Sequence, residues 1–140
     1  MKKYLCLFAL LAIASCGENA DTNTGSSQSV ASTEATVPQT PEERGRKLFN
    51  ECAVCHSVRA GDSHRVGPNL HGIAGGEAGK AEGFAYSKAM ADSDIVWDDA
   101  SLEAFIENPQ AFLKGNRMAY VGQRDEAKRA DIIAYLKSLK

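Results

Sequence analysis

The sequence predicts an all-α fold for residues 41–140, a small helical domain with long loops. Two segments with apolar residues at helical spacing bracket this region, one around Gly45 and one ending near Leu139. The stretch between them is rich in glycine and polar residues, and it reads as turns rather than as strand. So loop-rich a domain has little conventional core of its own and needs another body at its centre.

Thr40, Pro41 and Glu43 form a compact helix start, with a threonine cap, proline at the first helical position and a glutamate able to reach back to the cap amide. Leu48, Phe49 and Cys52 then share a face with Gly45. Glycine in mid-helix costs about 1 kcal/mol relative to alanine, so Gly45 predicts the close approach of another helix. The candidate is the last one, from about Asp125 to Leu139, with Ile132, Tyr135 and Leu136 as its apolar contacts. Between them, Val66-Gly67-Pro68-Asn69-Leu70-His71-Gly72 leads into Gly75, Gly76, Gly79 and Gly83, a run of turns. Ser87 to Asp92 suits a short helix, and a firmer one runs from about Asp99 to Glu107, capped by Asp98 and stopped by Asn108-Pro109.

The body at the centre is announced by Cys52-Ala53-Val54-Cys55-His56. Two thiols two residues apart with a histidine directly after the second form the attachment signature of a c-type haem. The sulfurs bond to the porphyrin edge and the histidine ligates the iron. A zinc site needs a second ligand pair, and no cysteine follows Cys55, while His64 and His71 lack zinc-finger spacing. A thiol-disulfide pair is the other reading of Cys52 and Cys55, and it fails if neither thiol can be alkylated in the mature form.

The opposite face of the iron needs a thioether or an imidazole, and the candidates are Met90, Met118, His64 and His71. Met118 lies in Lys114-Gly115-Asn116-Arg117-Met118-Ala119-Tyr120, a polar segment between helices where a methionine has no helical stripe to join. That favours Met118 as the ligand. Met90, beside Phe84 and Tyr86, is equally explained by filling a gap; His64, among Asp62, Ser63 and Arg65, reads as a solvated loop residue, and His71 as a turn residue.

Residues 1–15 read as a lipoprotein signal peptide: Lys2 and Lys3, then the apolar run Leu5 to Ile13, too short to cross a bilayer as a helix. The run closes on Leu11-Ala12-Ile13-Ala14-Ser15-Cys16, which resembles a bacterial lipobox and implies cleavage before Cys16 and acylation of its thiol. Of the four cysteines, Cys6 leaves with the signal and two serve the haem, so a lipid gives Cys16 its partner. An ordinary signal peptide with an unrelated cysteine, or an uncleaved anchor, are the competing readings. Residues 16–40 form the lipidated cysteine and a linker rich in Ser, Thr, Asn, Gln, Gly and Ala, which cannot bury enough surface to offset its ordering entropy. As a flexible coil, the 24 residues from Gly17 to Thr40 span roughly 27 Å. Spacer sequence without a role is the competing reading.

Residues 41–140 resemble a class I cytochrome c of the mitochondrial and alphaproteobacterial type. The resemblance is carried by Cys52, Cys55, His56, Gly67-Pro68-Asn69-Leu70, Gly83-Phe84-Ala85-Tyr86, Trp97, Glu107-Asn108-Pro109, Met118 and Ala134-Tyr135-Leu136. It implies the class I cytochrome c fold, wrapped around one covalently attached haem c with His56 and Met118 as its axial ligands. It further implies that the Pro68 carbonyl accepts from the other ring nitrogen of His56, and that Tyr86 and Trp97 hydrogen-bond a haem propionate. Leu70, Ile106 and Leu136 match apolar haem contacts, and Tyr135 with Gly45 and Phe49 matches the crossing of the terminal helices. The chain departs from the family at three places: Phe105, displaced one residue by Ile106, stands for a tyrosine just before Glu-Asn-Pro that touches the methionine sulfur, Asn116 stands for a threonine, and Gly76 for an arginine near the propionates.

Histidine and methionine together saturate the iron, which leaves reversible one-electron transfer as the function and argues against an enzyme. The resemblance implies redox partners such as a quinol-cytochrome c reductase and a terminal oxidase, met by a monomer in the bacterial periplasm or at the outer face of the cell membrane. Residues 41–140 carry a formal charge of −1 before haem, which implies no nucleic-acid partner. Lys114 and Arg117 flank the ligand segment, and Arg46, Lys47, Arg59 and Arg65 are further candidates for a docking edge, with a scattered solvated surface as the competing reading. The alternative is a haem enzyme or gas or redox sensor with a displaceable sixth ligand, with Phe105 loosening the Met118 bond.

Overall fold

The computed structural model describes residues 39–140. The signal segment 1–15, Cys16 and the linker as far as residue 38 lie outside the described residues.

Helix α1, Pro41–Leu48, starts on a complete capping box: Thr40 Oγ1 accepts from Glu43 N–H at 3.2 Å while Glu43 Oε2 accepts from Thr40 N–H at 3.0 Å. Glu42 and Glu43 in its first turn and Arg46 and Lys47 in its last both favour the helix dipole. The face expected to run on to Cys52 is broken at Phe49. There the chain tightens into a Cys52 N–H to Phe49 O bond of 2.8 Å, and a separate short helix α2, Asn50–Ala53, follows.

Helices α3 (Lys88–Ala91, capped by Ser87) and α4 (Asp99–Glu107, capped by Asp98) stand where the sequence predicts them. Helix α5, Pro109–Phe112, does not: Asn108-Pro109 ends α4, but the same pair starts a new helix, because the Asn108 side chain accepts from Ala111 N–H at 3.1 Å and Pro109 fills the first position. Helix α6, Glu126–Ser138, is capped by Asp125.

The chain closes where α1 crosses α6. A Cβ on Gly45 would overlap the Asp131 carbonyl oxygen, so only glycine admits α6 at this depth. Phe49 and Tyr135 stack beside the crossing with centroids 5.3 Å apart, and Arg44 grips the Asp131 carboxylate with two bonds of 2.8 and 2.6 Å. Phe49, Trp97, Leu102, Phe105, Ile106, Ile132, Ile133 and Leu136 are buried behind this crossing, with Met90.

No strand occurs among the described residues, yet the glycine run is more than turns. Glu77 and Val96 form an isolated antiparallel bridge, flanked by Gly75 N–H to Trp97 O and Trp97 N–H to Gly76 O, both 2.9 Å, and by Ala78 N–H to Ile95 O at 2.8 Å. Gly75 turns the chain at a φ of 86°, and these bonds then hold the backbone against residues 95–97 and so fix Trp97. Among the described residues no helix is long and apolar enough to cross a membrane.

Candidate functional site

Cys52 lies in α2, and the turn after it presents Cys55 and His56, whose N–H groups both bond to Cys52 O at 3.0 and 2.9 Å. The two cysteines are free and half-buried. The loop that follows folds back beneath them, with Gly67 N–H on Cys55 O at 2.8 Å and Leu70 N–H on Ser57 O at 2.9 Å. Asn69 holds that loop shut, its amide donating to Arg59 O at 2.8 Å and Asp62 O at 2.9 Å.

This fold-back sets the His56 ring. Its Nδ1 donates to Pro68 O at 2.7 Å, which fixes the tautomer and leaves Nε2 as a lone-pair donor. Burial pushes the His56 pKa down, favouring the neutral, ligating form. A Cβ on Gly67 would lie 2.7 Å from Nδ1, so this glycine is the cradle in which the ring sits. Burial, followed by the charge of Glu51, pushes the Cys52 thiol up to about 11.

Met118 is half-buried in the segment between α5 and α6. Two neighbours fasten it: its N–H donates to Asn116 Oδ1 at 2.9 Å, and its carbonyl accepts from Gln110 Nε2 at 2.9 Å. The same segment is tied to the cysteine motif, because Tyr120 OH donates to Glu51 Oε2 at 3.1 Å, one residue before Cys52. It is also tied to the glycine loop, through Arg117 Nη2 and Ala85 O beside Tyr86. Cys52, Cys55, His56, Pro68, Tyr86 and Met118 are thus joined by direct bonds between their segments. Trp97 lies buried behind Phe105, centroids 4.9 Å apart, with Phe112 on the far side of Phe105 at 5.9 Å.

Three sequence readings change. His64 is not a solvated side chain: Nε2 donates to Glu82 O at 2.7 Å and Nδ1 accepts from Asn69 N–H at 3.0 Å, so both nitrogens are used in joining two loops. Arg59 is not a free cation, since it pairs with Asp62 at 3.1 Å, while Arg65 and Arg117 donate to the neutral carbonyls of Ala53 and Ala85 and stay exposed and charged. Asn116 is a buried, hydrogen-bonded side chain rather than a simple loss of threonine. Gln110 and the Tyr120–Glu51 pair are not singled out by sequence as parts of the site, and Gly67 is named only within the Gly67-Pro68-Asn69-Leu70 motif, without its place against the His56 ring.

A fixed neutral imidazole, two free thiols beside it and a tethered thioether form a donor set suited to a covalent haem, and they define a haem-binding helical domain. The cytochrome c family model matches residues 42–140. Cytochrome c of Euglena viridis is 46% identical over 99 residues, covering 70% of this chain and 96% of that protein. Cytochrome c2 of Rhodoblastus acidophilus is 43% identical over 98 residues, with 70% and 92% covered. The solved structure of cytochrome cH from Methylobacterium extorquens superposes with a TM-score of 0.66 at 38% identity, over 69% of this chain and 97% of that one. The chain belongs to the cytochrome c family. It is accordingly an electron-transfer protein with the class I cytochrome c fold and one covalent haem c, not an enzyme.

Proposed function

We propose that the protein is a membrane-tethered electron carrier of the bacterial periplasm or outer face of the cell membrane, working between a quinol-cytochrome c reductase and a terminal oxidase. The observation that carries the site is the His56 ring, held by the Pro68 carbonyl and seated against Gly67, with Nε2 left to ligate. Cys52 and Cys55 attach the haem, His56 and Met118 ligate its iron, and Tyr86 and Trp97 supply donors for a propionate. The haem supplies a one-electron couple. The chain's part is to hold both ligands in place in either oxidation state, so that little rearrangement accompanies the transfer, and to exclude water with the buried side chains around Phe105 and Ile106.

Docking uses a small, transient contact. Val54, between the two thiols, is 74% exposed, and Val66 and Val121 are 81% and 86% exposed on the segments bonded to the motif. Arg59, Arg65 and Arg117 stay exposed, only Arg59 facing a carboxylate, so the three valines offer apolar contact among surface charges of both signs.

Residues 1–15 act as the lipoprotein signal, Cys16 carries the lipid, and residues 16–40 form the leash, so that tethering raises the effective concentration of the haem domain at its partners. Release of Cys16→Ala into the soluble fraction supports the anchor; its retention on membranes after high-salt washing removes it. For the haem site, the ferric protein is expected to show a methionine-to-iron charge-transfer band that disappears in Met118→Ala. High-spin iron that binds carbon monoxide or peroxide rapidly would instead favour the enzyme or sensor reading.

A further inference from the structure

The Met118 segment is fastened by a polar cluster that nothing about an iron ligand requires. Asn116 is only 7% exposed, yet its side chain makes four hydrogen bonds. Nδ2 donates to Pro109 O and Leu113 O, both at 2.7 Å; Oδ1 accepts from Met118 N–H at 2.9 Å and from Gln110 Nε2 at 3.3 Å. Two carbonyls face the nitrogen and two N–H groups face the oxygen, so the amide has one orientation that satisfies every partner. Gln110 also holds the Met118 carbonyl, so both peptide groups of Met118 are bound by side chains and neither depends on the sulfur being ligated.

We propose that Asn116, with Gln110, is the positioning residue that keeps the Met118 sulfur on the iron, and so sets how readily an external ligand displaces it. This rests on the reading of Met118 as the axial ligand. The bonds that hold Met118 in the structure reach its backbone N–H and carbonyl, leaving its sulfur to the iron. In a buried network, an amide that leaves several partners unpaired when deleted has a large effect, here directed at one short segment.

The test uses the holoprotein and imidazole as the displacing probe. Asn116→Ala is expected to raise the affinity of ferric protein for imidazole at least about tenfold, which corresponds to about 1.4 kcal/mol. It should also weaken the charge-transfer band and lower the reduction potential. Gln110→Ala, on the exposed side of α5, leaves the core untouched and is expected to move all three readouts the same way by a smaller amount, about threefold in affinity. If both variants fold with haem and leave imidazole affinity, band and potential at wild-type values, Asn116 is merely structural and the proposal is overturned; if Asn116→Ala does not fold, unchanged values in Gln110→Ala overturn it alone. Failure of the underlying reading looks different: the wild-type band would then persist in Met118→Ala.

Discussion

Gly67 and Pro68 divide one task between a missing side chain and a carbonyl. Gly67 leaves room for the His56 ring, and Pro68 offers it a backbone acceptor that any residue would carry. The neighbours are therefore expected to respond unequally. Pro68→Ala keeps the acceptor and should change the potential little, whereas Gly67→Ala drives a methyl into the imidazole and should displace His56, with loss of low-spin character in the ferric spectrum. At this scale the sequence was most informative where covalent chemistry dictates the residue: Cys52, Cys55 and His56 have no substitutes at their spacing. It was least informative at Asn116, because a polar residue in a polar loop reads as solvent-facing until the chain packs Pro109 and Leu113 around it.

Among the elements, the crossing of α1 and α6 depends on Gly45. Alanine is the better helix former by about 1 kcal/mol, but Gly45→Ala sets a methyl against the α6 backbone, so a net destabilisation of about 2 kcal/mol is expected in denaturant unfolding of the holoprotein. A second tie joins α6 to α4. Arg129, 7% exposed, donates to Glu103 at 2.6 Å and to Gln123 O at 2.9 Å, fixing the residues just after the Met118 segment. Arg129→Ala leaves a partly buried carboxylate and a carbonyl without their donor, and about 2 to 3 kcal/mol of stability should be lost, read as a lower denaturant midpoint. Caps were legible because they are local, as at Thr40-Pro41-Glu43, and the crossing was legible because glycine in mid-helix needs a reason. Helix α5 was hidden by ambiguity: asparagine before proline is both a stop and a start, and only the Asn108 bond to Ala111 decides. The bridge at Glu77 and Val96 was hidden because two residues make no period.

For the whole molecule, charge is the quantity that separates this chain from a carrier steered by a lysine ring. A domain with a formal charge of −1 before haem should transfer electrons to its partner with only a modest dependence on ionic strength, and a steep fall in rate with added salt would contradict this. Fold class was readable from a feature of the entire chain, two helical ends around a glycine-rich middle, but the mutual placement of loops was not. It depends on contacts such as Tyr120 to Glu51 and His64 to Glu82, between residues far apart in sequence. The α1–α6 crossing also imposes an order in time: residues 41–48 precede residues 126–138 in the chain, so the first helix cannot complete its packing until the last has been made.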